Sequence, residues 1–316
     1  MNTLLLIIGL LLILGGAHLL TEGSAALAQR FRVPQFIIGL TIVAIGTSTP
    51  ELVVSLLSAV AGKGDVAIGN VVGSNIFNIF VIGGICALIR PLPLTLRNIK
   101  RDIPFGCLVS LLLLLVLMDQ FIFGSEQNSI NRVEGIVMLS IYFLIMWYTI
   151  RKTPRPAHDT TSEAKPQGKL WIMVIEILAG LGGLVFGGDL FLNNAIELAR
   201  ALGVSESVIA ITLVAGGTSL PELASSAVSI FKGQTDMALG NIIGSNIANI
   251  LLILGASATI TPLSMGGITF TDIFAVLLGS ILLLISAYTF RKKEIDRWEG
   301  SIFLILYGGY IYLLLN

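Results

Sequence analysis

Residues 41–79 read TIVAIGTSTPELVVSLLSAVAGKGDVAIGNVVGSNIFNI, and residues 212–250 read TLVAGGTSLPELASSAVSIFKGQTDMALGNIIGSNIANI. The two stretches align without a gap at an offset of 171, with 22 identities in 39 positions. Such self-similarity marks a chain built from two copies of one unit. Apolar stretches long enough to cross a membrane, about 20 residues each, surround both copies. They fall at 3–29, 33–61, 66–89, 103–122 and 133–150, then at 170–197, 204–231, 237–262, 270–289 and 298–315. Five crossings is an odd number, so the second copy enters the membrane upside down. The expected fold is therefore an all-α polytopic membrane protein with ten transmembrane helices, arranged as two inverted five-helix repeats. Inverted repeats are the common design of alternating-access transporters, with the substrate held near the midplane where the repeats meet.

Composition agrees. Of 316 residues, 55% are hydrophobic and only 12% charged, with 19 Lys+Arg balanced by 19 Asp+Glu. A soluble fold carries roughly twice that charged share, and the lack of a basic region argues against a nucleic-acid partner. Cys86 and Cys107 sit in or beside apolar runs and read as small core residues, without a disulfide framework or a metal site. The opening MNTLLLIIGLLLILGG lacks a basic n-region and reads as a first span that stays. Residues 151–169 carry three prolines and almost nothing apolar. They are expected to be a solvated linker between a first repeat at 1–150 and a second at 170–316. With both termini outside, sixteen of the 19 basic residues fall in inside loops. Only Lys63, Arg132 and Arg200 fall outside. Positive residues collect on the cytoplasmic side, so the linker is expected there, in a multi-pass protein of a prokaryotic cytoplasmic (inner) membrane.

Each copy carries a carboxylate inside an apolar helix, Glu51 in GTSTPE and Glu222 in GTSLPE. A charge at that depth costs about 3 kcal/mol on insertion scales and is expected to face protein or water. A structural Glu held neutral is the plain alternative, and its recurrence with the same neighbours weighs against it. Thr47 and Ser48 lie four and three residues before Glu51, on its helical face, and Thr218 and Ser219 repeat the relation to Glu222. Pro50 and Pro221 lack an N–H, so the carbonyls of Gly46 and Gly217 are expected to lose their intrahelical donors. In GNVVGSNIFN and GNIIGSNIAN, Ser74 and Asn78 share a face, as do Ser245 and Asn249. Gly69 with Gly73, and Gly240 with Gly244, form small-xxx-small pairs that allow close helix approach. Asn70, Asn75, Asn241 and Asn246 read equally well as interhelical hydrogen-bonding groups. Hard oxygen ligands without His or Cys suit Ca2+ and Na+ rather than Zn2+ or Cu.

The paired motifs GTSTPE…GSNIFN and GTSLPE…GSNIAN, together with the ten-span layout, resemble the sodium/calcium exchangers of the Ca2+:cation antiporter superfamily in their compact prokaryotic form. The resemblance implies a Ca2+ site at Glu51, Glu222, Thr47 and Thr218, including the threonine backbone oxygens. It implies three Na+ sites that share the glutamates with Ser48, Ser219, Ser74, Ser245 and the carbonyls of Ala44 and Ala215. Asn78 and Asn249 would stand at the centre. Some relatives, resembling the K+-dependent branch, carry Asp where this chain has Asn249. The first and sixth helices would slide as a gating pair, near Gly15, Gly16, Gly187 and Gly188. There His18 aligns with Asp189 and Glu22 with Asn193. Asp65 and Asp236 read as helix caps.

The expected function is an electrogenic Na+/Ca2+ antiporter in which both ions compete for the two glutamates. No cofactor is implied, since Ca2+ and Na+ enter as transported substrates, and the partners are those ions and the lipid bilayer. A monomer is the expected state. A Ca2+/H+ antiporter is the nearest alternative, and a cation channel a more distant one. No Ser/His, Cys/His or paired-aspartate arrangement supports an enzyme.

Overall fold

The computed structural model describes residues 2–124, 127–153, 169–202, 215–291 and 293–315. Most of the expected linker, 154–168, and the start of the seventh stretch, 204–214, lie outside the described residues. The first half gives α1 (Asn2–Phe31), α2 (Gln35–Ile38), α3 (Ala44–Thr47), α4 (Thr49–Val60), α5 (Gly64–Ile76) and α6 (Gly84–Ile89). It continues through α7 (Ile103–Val116), α8 (Asp119–Phe123) and α9 (Arg132–Lys152). The second half gives α10 (Leu170–Ala201), α11 (Ala215–Gly217), α12 (Leu220–Phe231), α13 (Thr235–Ala248) and α14 (Gly255–Ile260). It ends with α15 (Phe270–Ile285) and α16 (Arg297–Leu315). π-Helical turns at Gly39–Val43, Phe77–Gly83 and Asn249–Leu254 link α2 to α3, α5 to α6 and α13 to α14.

Among the described residues, five uninterrupted helical runs are long and apolar enough to cross a membrane: Leu4–Phe31, Gly64–Ile89, Arg132–Lys152, Leu170–Ala201 and Thr235–Ile260. Three further segments are broken or short, the apolar helix Phe270–Ile285 being one of them. In the other two, Gln35–Thr47 is followed after one residue by Thr49–Val60, and Leu220–Phe231 stands alone. Both of these contain the repeated glutamate.

The repeat is visible in the elements themselves. α4 and α12 begin and end at an offset of 171, and so do α6 and α14. Two short antiparallel ladders follow the relation approximately. β1 (Leu92–Pro93) pairs with β4 (Glu294–Ile295), and β2 (Ser129–Ile130) pairs with β3 (Leu263–Ser264). β3 is the 171-residue counterpart of β1, while β4 lies 165 rather than 171 residues after β2. Each ladder joins a loop of one half to a loop of the other.

The chain forms two compact units, and neither follows the halves of the sequence. One consists of 1–47 with 146–244, the other of 48–145 with 245–316. In the first, α1 lies along α10 and also packs on α12. The approach is close because glycines face backbone: a Cβ on Gly16 would lie 2.7 Å from the Gly180 oxygen. Ile13, Ala17, Leu20, Ile177 and Leu184 fill the same buried cluster. In lipid, apolar burial by itself gives little preference for helix on helix, so close packing of small residues carries the association. In the second unit α4 packs on α5, α7 on α15, and α6 on α16. Ser110 and Ser280 add a buried interhelical hydrogen bond of 2.8 Å between α7 and α15.

Candidate functional site

The helix containing Glu51 does not continue through its proline. α3 ends at Thr47, and Ser48 takes φ −79° and ψ 12°, outside the helical range. α4 then starts afresh with Pro50 in its first turn and Glu51 directly after. The second copy does the same, with Ser219 at φ −90° and ψ 9°, Pro221 in the first turn of α12, and Glu222 next. The missing proline N–H groups, and the hydrogen bonds to Gly46 and Gly217 lost with them, predict an interruption at the prolines. The structure locates it two residues earlier, at the serines, and uses each proline to start the new helix. A missing N–H is harmless there, because first-turn donors have no intrahelical acceptor anyway. Each glutamate therefore sits in the first turn of a helix, where the aligned peptide dipoles favour a carboxylate.

Both carboxylates are buried, Glu51 with 0% and Glu222 with 1% of its surface exposed. Their backbones are held identically. Asn70 Nδ2 donates to the Glu51 carbonyl at 3.1 Å and to Ser55 Oγ at 2.9 Å. Asn241 Nδ2 donates to the Glu222 carbonyl at 3.4 Å and to Ser226 Oγ at 2.9 Å. These two asparagines fix the first turns of α4 and α12, a role that only their positions at the repeat offset hinted at. Ser55 and Ser226, which complete the clamp, were not singled out from the sequence, although they too recur at the offset of 171.

The first unit brings Thr47, Asn241, Glu222 and Ser226 together. The Thr47 hydroxyl donates to the Val43 carbonyl at 3.0 Å and lies 3.3 Å from Asn241 Oδ1. It also lies 3.4 Å from the Ala44 carbonyl. That hydroxyl is thus engaged. Ser219 is buried at the break, Thr218 is half-buried in the same turn, and Ala215 opens α11. The expected close approach of Gly240 and Gly244 is present, since the Gly244 position packs against Leu40, a Cβ there lying 2.5 Å from its carbonyl oxygen. Among the described residues nothing comparable meets Gly73, and Gly69 meets only the Ile268 side chain.

The second unit brings Glu51, Ser74 and Asn70 together, and separately Asn75, Asn246 and Asn249. Ser74 Oγ donates to Glu51 Oε1 at 3.3 Å. Ser48 is buried at the break. Ser245 Oγ, Asn249 Oδ1 and both side-chain polar atoms of Asn78 are buried with no hydrogen-bond partner among the described residues. Buried polar atoms are nearly always satisfied, so a group of exceptions calls for an explanation. Asn78 and Asn249 lie in the π-helical turns, a feature concentrated at functional sites.

The peripheral polar residues are arranged differently. His18 is exposed, and its carbonyl accepts from Lys232 Nζ at 3.3 Å, while Lys232 pairs with Glu22 at 2.7 Å. Asp189 instead accepts from Asn193 at 3.1 Å. Asp65 and Asp236 stand in the first turns of α5 and α13.

Residues 1–151 and 172–316 match the family profile described as sodium/calcium exchanger protein. The chain is 34% identical to the inner membrane protein YrbG of Escherichia coli, over 98% of this chain and 94% of the relative. It is 30% identical to the sodium/calcium exchanger MaX1 of Methanosarcina acetivorans, over 99% and 98%. Its structure superposes on that of the sodium-calcium exchanger NCX_Mj, soaked with zero Na+ and Ca2+, at a TM-score of 0.85. That match has 30% identity and covers 98% of each chain.

Proposed function

The chain belongs to the sodium/calcium exchanger protein family, and from that premise we propose which of its residues carry the ions. The protein is a multi-pass membrane protein with the fold of two inverted five-helix repeats, and a secondary active transporter working by alternating access rather than an enzyme. It exchanges Na+ for Ca2+.

In our reading Ca2+ is held by the carboxylates of Glu51 and Glu222 with the backbone oxygens of Thr47 and Thr218. Na+ takes Ser48, Ser74, Ser219 and Ser245, the carbonyls of Ala44 and Ala215, and the same glutamates. Asn78 and Asn249 complete the centre. The observation that carries this reading is the mirrored pair of fully buried glutamates. Each stands in the first turn of a broken helix with its own carbonyl clamped by a repeat-related asparagine. The buried oxygens of Ser245, Asn78 and Asn249, which have no hydrogen-bond partner among the described residues, support it as further hard ligands. Both ions need the same two carboxylates, whose charges balance one Ca2+, so neither ion can use the centre while the other holds it. Filling all three proposed Na+ sites in exchange for one Ca2+ would transfer net charge. The repeats at 1–150 and 170–316, joined by 151–169, are the two inverted copies.

The decisive measurement is radiolabelled Ca2+ uptake into proteoliposomes loaded with Na+, with K+ loading and an imposed proton gradient as comparisons. Uptake is expected to require the Na+ gradient, to saturate, and to respond to membrane potential. Uptake driven by the proton gradient and indifferent to Na+ would favour the Ca2+/H+ reading instead.

We further propose that the membrane is the prokaryotic inner membrane, with both termini outside, because sixteen of the 19 basic residues then face the cytoplasm. With Cys86 and Cys107 replaced, a cysteine at Thr160 is expected to react with an impermeant thiol reagent only from the cytoplasmic side. One at Gln127, an exposed position, is expected to react only from outside. The reverse pattern refutes the orientation.

A further inference from the structure

The repeat makes Asn75 the counterpart of Asn246, and Asn78 the counterpart of Asn249. Their hydrogen bonds do not obey that equivalence. Asn75 Nδ2 donates to the Asn246 backbone carbonyl at 3.2 Å. A carbonyl can only accept, so this fixes the orientation of the Asn75 amide and leaves its Oδ1 as an acceptor. Asn249 Nδ2 donates to that Oδ1 at 3.0 Å. The repeat-related bond would run from Asn78 Nδ2 to Asn246 Oδ1. Instead Asn78 Nδ2, Asn78 Oδ1 and Asn246 Oδ1 are all buried with no hydrogen-bond partner among the described residues. Asn75, Asn78 and Asn249 have 0% exposure and Asn246 8%, so bulk solvent is a poor substitute. One central amide is therefore held and its twin is released, although the residues are the same in both copies.

An inverted-repeat transporter reaches its opposite-facing state by exchanging the conformations of its two copies. An asymmetry present in one state must then appear with its roles swapped in the other. We propose that Asn75 and Asn246 are positioning residues that hold the two central amides in alternation. Asn75 holds Asn249 in the state seen here, and Asn246 holds Asn78 in the opposite-facing state. The hydrogen bond gained in one state offsets the one lost in the other, so the switch leaves the same number of unsatisfied buried groups on either side. Such a balance suits an equilibrium that ions must be able to tip. The inference rests on the alternating-access reading and on Asn78 and Asn249 standing at the centre.

The test uses the full-length protein in proteoliposomes of known orientation. The half-saturating Ca2+ concentration for Na+-driven exchange is measured from each side. Asn75→Ala removes a bond made only in the state seen here, and Asn246→Ala one made only in the other. Apparent affinity falls with the fraction of protein in the competent state. The ratio of the two half-saturation values is therefore expected to move in opposite directions in the two variants. Each shift should be about threefold to tenfold, the size of one hydrogen bond. Asn75→Ser and Asn246→Ser, too short to span the same gap, are measured alongside in case an alanine variant fails to fold, and should show the same opposed shifts. A merely structural role would weaken both sides together. Shifts in the same direction, or an unchanged ratio, with normal wild-type exchange, would overturn the proposed amide exchange alone. Absence of Na+-driven uptake by the wild type would overturn the functional reading and this inference with it.

Discussion

Glu51→Gln and Glu222→Gln are each expected to reduce Na+-driven Ca2+ uptake by more than about 100-fold, beyond the roughly 10–100-fold typical of residues that only support a metal ligand. The two side chains are buried at 0% and 1% exposure, so nothing in solvent can stand in for the lost charge. Glutamine is nearly isosteric and retains an oxygen that can accept the Ser74 hydroxyl, which now donates to Glu51 at 3.3 Å. The backbone clamps from Asn70 and Asn241 act on carbonyls that the substitution leaves alone. Folding should therefore survive, as a wild-type elution profile in size-exclusion chromatography would show. Charge is the only thing removed. In the proposed Ca2+ site two negative charges balance the ion, and removing one would leave it undercompensated. Because the repeat makes the glutamates equivalent, the two variants should fail to a similar degree. Near-normal Ca2+ uptake by either would mean that its carboxylate is structural.

The second large effect is steric. Gly39, in the first π-helical turn, faces the backbone of Met237 and Asn241 on α13, and Gly240, on α13, faces the backbone of Phe36 and Leu40. A Cβ on Gly39 would collide with the Met237 carbonyl oxygen, and one on Gly240 with the Phe36 carbonyl oxygen. Backbone cannot rotate aside as a side chain can. Gly39→Ala and Gly240→Ala are each expected to cost about 1–3 kcal/mol, the usual penalty for overpacking, and to impair exchange as well. The reason for the functional loss is local. Asn241 follows Gly240 directly and holds both the Thr47 hydroxyl, at 3.3 Å, and the Glu222 carbonyl, at 3.4 Å. Pushing α13 away from the 39–43 turn moves that asparagine off both partners. Gly15→Ala is the control. No described atom lies within 4 Å of a Cβ there, and alanine favours a helix over glycine by about 1 kcal/mol. Thermal midpoints in detergent, read beside transport, check all three. Unchanged stability in Gly240→Ala would show that the contact is looser than its geometry.

Much of this was legible in the sequence because membrane helices obey local rules. Apolar length marks a span, since every backbone group must be satisfied within the segment. Each of the ten expected stretches carries helix among the described residues. The offset of 171 was visible as letters, and it paired Glu51 with Glu222, Asn78 with Asn249 and the serines between them. Odd span number and repetition together fixed the inverted arrangement. What the sequence determined was thus the inventory of spans and the symmetry that relates them.

The tertiary structure decided what depends on a partner from elsewhere in the chain. Ser48 rather than Pro50 breaks the helix, because the proline fits as a starting residue once α4 begins anew. Asn70 and Asn241 clamp glutamate carbonyls 19 residues away, across a turn between helices, and no periodicity within one helix encodes that contact. The compact units draw on both halves of the chain, and the ladders pair loops from opposite halves. The unequal bonding of Asn75 and Asn246 is the clearest case. Identical motifs predict identical hydrogen bonds, yet a side-chain amide has one orientation at a time, and the neighbour that fixes it lies 171 residues away in sequence. Local sequence fixes which polar groups are buried together. Only the packing of one helix against another determines which of them are satisfied.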